Sequence, residues 1–232
     1  MRPQDRDSVR ALSLFRDMDA ATFTHLINAA YLQRFPAQVE LIKEGDPADF
    51  LYIVVEGSVE LFAESNGRES VMAMVRPVST FILAATIKDS PYLMSGRTLE
   101  ASQILLIPSR NIRDAFATDE KFARAIVGEL ASCYRAVIKS SKNLKLRTSV
   151  ERVANYLLRV QARAGGADVL ELQIGKRNLA SLLGMTPENL SRAFSALQAH
   201  GVTVDGKQIE IADRERLARY AKPNPLIDDP SS

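Results

Sequence analysis

The residues from Lys176 to Phe194 carry the most chemistry in this sequence. They read Lys-Arg-Asn-Leu-Ala-Ser-Leu-Leu-Gly-Met-Thr-Pro-Glu-Asn-Leu-Ser-Arg-Ala-Phe, and predict two helices, at about Lys176–Leu183 and Pro187–His200, joined by a turn. Gly184 can take the left-handed conformation that ends the first helix; Thr186 can cap the second, and Pro187 at its first position leaves no amide unsatisfied. Ala180 is small enough to let the two helices cross closely. Along the second helix, Leu190, Ala193, Phe194 and Leu197 share one face, and Glu188, Ser191, Arg192 and Ser195 the opposite face. A carboxylate, hydroxyls and a guanidinium on an outward face are the groups that read base edges in a major groove. Arg can take two acceptors on guanine, Glu can accept from the cytosine amine, and Ser can bond to several bases. The plain alternative is a solvated face with a Glu–Arg pair four residues apart, worth only about 0.3 kcal/mol. The turn chemistry, and a hairpin that follows it, favour DNA. The candidate DNA-binding residues are Thr186, Glu188, Asn189, Ser191 and Arg192, with Lys176 and Arg177 on the first helix and Lys207 in the hairpin.

No catalytic or metal-binding pattern competes with this reading. The sequence has two histidines and one cysteine, no Gly-rich phosphate loop and no Ser/Cys–His arrangement. One thiol rules out an internal disulfide, a four-cysteine zinc site and an all-cysteine iron–sulfur cluster. No catalytic residue and no metal ligand is assigned, an enzyme is not expected, and no cofactor is named.

The elements that must hold the helix pair run through the whole chain. Residues 8–31 read as short helices, one capped by Asp19 and carrying Phe23, Leu26, Ile27 and Ala30. From about 32 to 108 the period shortens to strand-like runs at Val39–Lys43, Phe50–Val55, Ser58–Phe62, Glu69–Val75 and Ser102–Ile107. Turn signals at Gly45-Asp46-Pro47, Glu56-Gly57, Asn66-Gly67 and Arg76-Pro77 separate them, which predicts an antiparallel barrel, roll or sandwich. A long helix follows, Asp119 to about Arg147. Ala123, Ile126, Leu130, Cys133, Val137, Ser140 and Leu144 alternate three and four apart along it, a seam suited to pairing two copies of the helix or to packing on its own domain. Of these, Ile126, Leu130, Cys133, Val137 and Leu144 are the candidate dimer contacts. Cys133 reads as a small packing residue, or as a redox switch or intersubunit disulfide. Val150–Ala164 is an amphipathic helix, Val169–Ile174 a short strand. Val202–Val204 and Gln208–Ile211 form a hairpin with Asp205-Gly206 as a type I′ turn. Residues 223–232 hold three prolines and two final serines and are expected to be a disordered tail.

Length and charge agree with a divided chain. At 232 residues and 46% hydrophobic content, the sequence suits two linked folded domains with a real core. The net charge of +2 hides an asymmetry. Met1–Ile138 has 15 Lys and Arg against 18 Asp and Glu, while Lys139–Lys222 has 15 against 8, a surplus fit for a polyanion. The charged start, Met1–Asp7, predicts no secretory signal, and no apolar run approaches the length of a spanning helix. A cytoplasmic protein with no membrane partner is expected.

With these motifs in place, residues 12–217 resemble the cyclic-AMP receptor protein/FNR superfamily of bacterial transcription regulators. The stretch Lys43-Glu-Gly-Asp-Pro-Ala-Asp-Phe-Leu-Tyr-Ile-Val-Val-Glu-Gly-Ser-Val-Glu-Leu61, with Gly45 and Gly57, the long helix and the helix-turn-helix carry the likeness. The resemblance implies an α+β chain: an N-terminal β-roll, a jelly roll like those that bind cyclic nucleotides, at 1–118; a dimerisation helix at 119–147; and a winged helix-turn-helix at 148–222. It implies a homodimer on double-stranded DNA, with RNA polymerase and a small-molecule effector as further partners. Glu188, Ser191 and Arg192 match the Glu-x-x-Ser-Arg pattern of the FNR branch, which reads half-sites of TTGAT type. Pro187 stands where the cyclic-AMP receptor branch has Arg. Cyclic-nucleotide members carry Gly-Glu and, some ten residues later, Arg-Ser to hold ribose and phosphate. Here Leu83 and Ala84 stand for the first pair and Met94 and Ser95 for the second, with Arg97 about three residues late, so cyclic AMP is not expected. The alternative is a cyclic-nucleotide response through a rearranged phosphate site. Phe81, Leu83, Ala84, Met94, Ser95 and Arg97 are the candidate effector-pocket residues. Tyr92 and Met94 fit either haem ligands or the lining of an apolar pocket. His25, the only histidine in the N-terminal half, reads as facing solvent or a local hydrogen bond rather than a haem iron.

Overall fold

The computed structural model of the chain describes residues 3–172 and 174–229. It divides into two compact units, Met1–Cys133 and Tyr134–Ser232. The division falls inside one helix, α5 (Glu120–Leu146), rather than at either of its ends.

The first unit opens with α1 (Pro3–Arg10) and α2 (Ala20–Asn28), and Asp19 caps α2 as expected, accepting from the amides of Ala21 and Thr22. Eight strands follow: β1 (Tyr31–Phe35), β2 (Glu40–Ile42), β3 (Phe50–Glu56), β4 (Val59–Ser65), β5 (Arg68–Val75), β6 (Ser79–Phe81), β7 (Ser95–Thr98) and β8 (Ser102–Pro108). Two helices interrupt and close the series, α3 (Leu83–Lys88) and α4 (Ser109–Thr118). The strands form two four-stranded antiparallel sheets, in the orders β1-β8-β3-β6 and β2-β7-β4-β5. Asn66 and Gly67 both take positive φ between paired Ser65 and Arg68, the conformation a two-residue type I′ hairpin requires. At Gly57 (φ +85°) any Cβ would lie 2.7 Å from the Cα of Ser102, so the close approach of β3's end to β8 depends on glycine.

β3 is buried on both faces, which its unbroken Phe-Leu-Tyr-Ile-Val-Val run permits. Leu51 and Ile53 join a first core with Leu105 and Ile107 of β8, Phe15, Phe23 and Leu26, Ile112 of α4, and Phe122 and Ile126 of α5. Tyr52 and Val54 join a second core with Ile104, Ile42, Leu61, Phe81 and Tyr92. Asp119 caps α5, accepting from the Phe122 amide at 3.0 Å, and also accepts from the Asp19 amide at 2.8 Å. Burial alone would raise its carboxyl, but these amides, with that of Lys121 and its charge, hold it below the usual carboxylate range.

The second unit holds the end of α5, then α6 (Ser149–Arg163), β9 (Val169–Glu171), α7 (Lys176–Leu182), α8 (Pro187–Gln198), β10 (Val202–Asp205), β11 (Gln208–Ile211), α9 (Arg214–Ala221) and α10 (Pro225–Asp228). Thr148 and Glu151 make a reciprocal capping box at the start of α6. The three strands pair in the order β10-β11-β9. The strand expected to reach Ile174 ends earlier, and residue 173 lies outside the described residues.

Two expectations are corrected here. Asp205 pairs with Gln208, so the hairpin's central residues are Gly206 and Lys207, one position later than expected. Positive φ occurs only at Gly206 (+58°), as in a type II′ turn, whereas type I′ needs it at both. The expected disordered tail is folded as far as the structure describes it: Asn224 caps α10, and Asp228 is paired with Arg147 and Arg159. Residues 230–232 lie outside the described residues.

Candidate nucleic-acid interface

The turn between α7 and α8 is built from the local chemistry the sequence displays. Gly184 has φ +64°, its amide bonds Ser181 O, and the Met185 amide bonds Ala180 O, both at 2.9 Å, so the carbonyls at α7's end are used by the turn. Thr186 caps α8, its hydroxyl accepting from the Asn189 amide, and Pro187 occupies the first turn. Leu190, Ala193, Phe194 and Leu197 are buried, and α8 packs against α6 and α7. That fixes the opposite face outward, and Glu188, Asn189, Ser191, Arg192 and Ser195 are all exposed. The Ser195 hydroxyl is turned back onto Ser191 O at 3.2 Å, leaving Glu188, Asn189, Ser191 and Arg192 as the forward groups. Hydrogen bonds from its own amide and the Thr186 hydroxyl, and then the charge of Arg192, hold Glu188 below its ordinary carboxylate value, so it is an acceptor at neutral pH.

Lys176 and Arg177 are exposed in the first turn of α7, which holds no acidic residue. Two cations at the positive end of a helix are unfavourable unless an anion meets them. Lys207 is exposed at the hairpin tip, and its carbonyl takes the Leu172 amide at 2.8 Å, tying the tip to the strand beside it. All eight candidate DNA-binding residues therefore lie in the second unit. Three further features of this unit escaped the sequence reading: helix α9, with Arg214, Arg216 and Arg219 exposed; the Arg147–Asp228–Arg159 cluster; and the bonds of Arg152 described below.

Of the dimer contacts expected on α5, Ile126 is corrected. Ile126 is fully buried in its own unit's core, so it offers no surface to a partner. Leu130 is partly buried on that core, and Cys133 is exposed. The exposed large apolar residues of α5 include Val127 (60%), Tyr134 (67%) and Val137 (64%), with Ile138 beside them, and Leu146 (69%) at the helix end. Val127, Leu130, Tyr134 and Val137 keep the three-and-four alternation, but one of its two rows lies a residue later than Ile126 and Cys133. Leu144 is half exposed, and its Cδ2 lies 2.5 Å from where a Cβ on Gly184 would stand.

The expected effector residues are divided between the two cores and the surface. Leu83 packs in the first core and Phe81 in the second, with Met94 partly buried against the latter; Ala84 is exposed. Ser95 is buried, and its hydroxyl accepts from the Glu44 amide. Arg97 donates to Glu69 at 2.8 Å and to the fully buried Glu60, and its guanidinium lies 4.3 Å over the Phe62 ring. Tyr92 is buried in the second core beside Tyr52, and burial raises both phenols above their ordinary values. His25 lies 3.5 Å from Asn111. Among the described residues no group of three or more His, Cys, Asp or Glu could hold a metal, and no helix is long and apolar enough to cross a membrane.

Comparison with known proteins bears on both units. The family model of the cyclic nucleotide-binding domain matches residues 32–119, and that of the Crp-like helix-turn-helix domain matches residues 151–220. The CRP-like cAMP-activated global transcriptional regulator of Mycobacterium tuberculosis is 24% identical over 215 residues, 90% of this chain and 96% of that protein. The transcriptional activator protein Anr of Pseudomonas aeruginosa is 23% identical, over 78% of this chain and 76% of its own. Among solved structures, FixK2 of Bradyrhizobium japonicum superposes with a TM-score of 0.70 at 26% identity, covering 82% of this chain and 96% of that one.

Proposed function

The chain belongs to the CRP/FNR family of bacterial transcription regulators, DNA-binding proteins rather than enzymes, and from that membership we propose that it reads a palindrome of TTGAT-like half-sites as a homodimer, without cyclic AMP as its effector. The observation that carries the reading is the exposed Glu188, Ser191 and Arg192 stripe, held outward by the buried Leu190–Leu197 face of α8. Members of the family bind DNA as dimers, and the stripe of exposed Val127, Tyr134 and Val137 with the half-buried Leu130 is the surface on α5 that suits such a pairing. Two reading helices related by a two-fold axis address half-sites about 34 Å apart. A cytoplasmic location and RNA polymerase as a partner of the bound dimer belong to the same reading.

The roll's chemistry speaks against a cyclic nucleotide. Leu83 and Ala84 offer neither a carboxylate for a ribose nor a glycine for close backbone approach. Arg97, the one displaced guanidinium, is already neutralised by two carboxylates. Bringing a phosphate to it would set the anion against Glu60 and Glu69, a repulsion that desolvation strengthens. The relative from Mycobacterium tuberculosis is named for cyclic AMP; this chain's roll is read as serving another effector or none. A rearranged phosphate site around Arg97 would first have to displace Glu60 and Glu69.

The test compares Arg192→Ala with Lys207→Ala on a selected duplex and a scrambled one at matched salt. Arg192→Ala should cost about 1–3 kcal/mol on the selected duplex and relax preference at one guanine. Lys207→Ala should weaken both duplexes equally and flatten the salt slope. Equal loss on both duplexes for Arg192→Ala would make Arg192 a phosphate contact and end the base assignment. Selection from random DNA should return a TTGAT-like core, since Pro187 has no donor for a base; a TGTGA-like core would overturn the half-site.

A further inference from the structure

Arg152 lies in the first turns of α6, outside every group so far assigned a role. Each of its three guanidinium nitrogens donates to a main-chain carbonyl. Nε donates to Leu183 O at 2.8 Å, one terminal nitrogen to Arg147 O at 2.8 Å, and the other to Gly184 O at 3.3 Å. Among the described residues it has no carboxylate partner, and loss of solvent lowers its pKa. A guanidinium gives up water without a counter-ion only where other acceptors replace it.

The acceptors are of one kind. Arg147 O stands just past the end of α5, while Leu183 O and Gly184 O stand just past the end of α7. Helix ends carry carbonyls with no partner in the helix and a partial negative charge, so one cation here serves two C-termini together. A second contact joins the same two places: a Cβ on Gly184 would stand 2.5 Å from Leu144 Cδ2, so α5's last turns close over the glycine of the reading turn. The planar fork of arginine spans acceptors in different directions, which a lysine ammonium on a flexible stem does less well.

We infer that Arg152 is a positioning residue for DNA reading: by bonding Arg147 O, Leu183 O and Gly184 O together, it fixes the turn that aims α8 to the end of α5. Arg152 itself touches no base and no phosphate in this role. The inference rests on α8 being the reading helix, and the test separates the two claims.

The full-length protein is compared with Arg152→Gln and Arg152→Lys. Hydrogen exchange without DNA reads the turn directly: the amides of residues 184–190 should exchange faster in Arg152→Gln, with an intermediate effect in Arg152→Lys, while those of the roll strands stay unchanged. Binding to the duplex that wild type selects should weaken roughly tenfold in Arg152→Gln, with an unchanged slope of log affinity against log salt. Lys176→Gln provides the contrast, since a lost phosphate contact lowers that slope by about one. A slope lowered by about one in Arg152→Gln would make Arg152 a phosphate contact. Unchanged exchange at 184–190 would mean it positions nothing. Either result overturns the inference. If wild type selects no duplex but the exchange difference appears, the coupling stands and the DNA reading fails. If Arg152→Gln unfolds the unit, the exchange of Arg152→Lys decides alone, faster at 184–190 supporting the role and wild-type rates overturning it.

Discussion

Replacing Asp228 by Ala tests whether the last folded segment is a structural part of the DNA-binding unit. Arg147 donates both terminal nitrogens to the two Asp228 oxygens, Arg159 adds a bond at 2.9 Å, and the Asn224 amide a fourth at 2.8 Å. The Arg147 side chain is 7% exposed and Asp228 11%, against 28% for Arg159. Removing the carboxylate leaves Arg147 buried with Asn143 as its side-chain acceptor. Breaking a buried pair in this way costs about 3–5 kcal/mol. Two effects reduce it: Arg159 regains water, and α10 is a single turn that can peel away and let water reach Arg147. An overall loss of about 2–3 kcal/mol is expected. Hydrogen exchange along α6 in the full chain, together with the thermal transition of this unit, measures it. Truncation after Lys222 should cost about the same, and the truncation should absorb the point mutation, because both remove one contact. The pH dependence has a definite sign. Burial pushes the Asp228 carboxyl up, but the Arg147 bonds, the Asn224 amide and the two guanidinium charges outweigh it and hold it below its ordinary value. A depressed carboxyl stabilises above its unfolded value of about 3.9 and loses that contribution as pH falls through the folded one. The gap between wild type and Asp228→Ala should be full at neutral pH and shrink below about pH 4. A change within about 0.5 kcal/mol at neutral pH, the range of ordinary surface substitutions, would show the segment contributes nothing and refute the reasoning.

Tyr134→Asp with Val137→Asp should yield a monomer by light scattering that loses operator affinity, since each would set like charges against its own copy; a dimer of wild-type size would place the pairing elsewhere. Calorimetry with cyclic AMP and cyclic GMP at millimolar concentration should show no saturable heat, and a micromolar dissociation constant would reinstate Arg97 as an anchor. Gly57→Ala should destabilise the roll by at least about 2 kcal/mol, because a Cβ there meets backbone and not a flexible side chain; a wild-type melting temperature would mean the β3–β8 approach opens freely.

What the sequence makes legible is local. Gly184, Thr186 and Pro187 each act within a few residues of themselves, so the reading helix and its capped turn were foreseeable to within two residues. Asp19 and the Asn66-Gly67 hairpin were legible for the same reason. The errors involve neighbours that sequence distance hides. Heptad spacing marks a face of α5 without telling who covers it, and the first core takes Ile126, which moves the exposed row to Val127 and Tyr134. Ser95-Gly-Arg-Thr98 has no apolar alternation, so β7 was missed; a Cβ on its glycine would stand 3.0–3.1 Å from the side chains of Ile42 and Leu61. Arg97 finds Glu69 and Glu60 28 and 37 residues away, and Asp228 reaches Arg147 across 81. A proline-rich end reads as disorder until that last partner is known.

β3 and β8 have consequences beyond stability, because together they form a diaphragm one strand thick. On one side stand Tyr52, Val54 and Ile104, facing the interior of the roll; on the other, Leu51, Ile53, Leu105 and Ile107 face the helices, including Phe122 and Ile126 at the head of α5. Side chains alternate along a strand at a fixed two-residue period, so neither face can be displaced without moving the backbone they share. Whatever the interior holds, a ligand or only its own aromatic rings, presses on the root of α5 through this single layer. An enlarged residue at Val54 and a cavity at Ile53 would load the same partition from opposite sides, and the head of α5 would register the two with opposite sign.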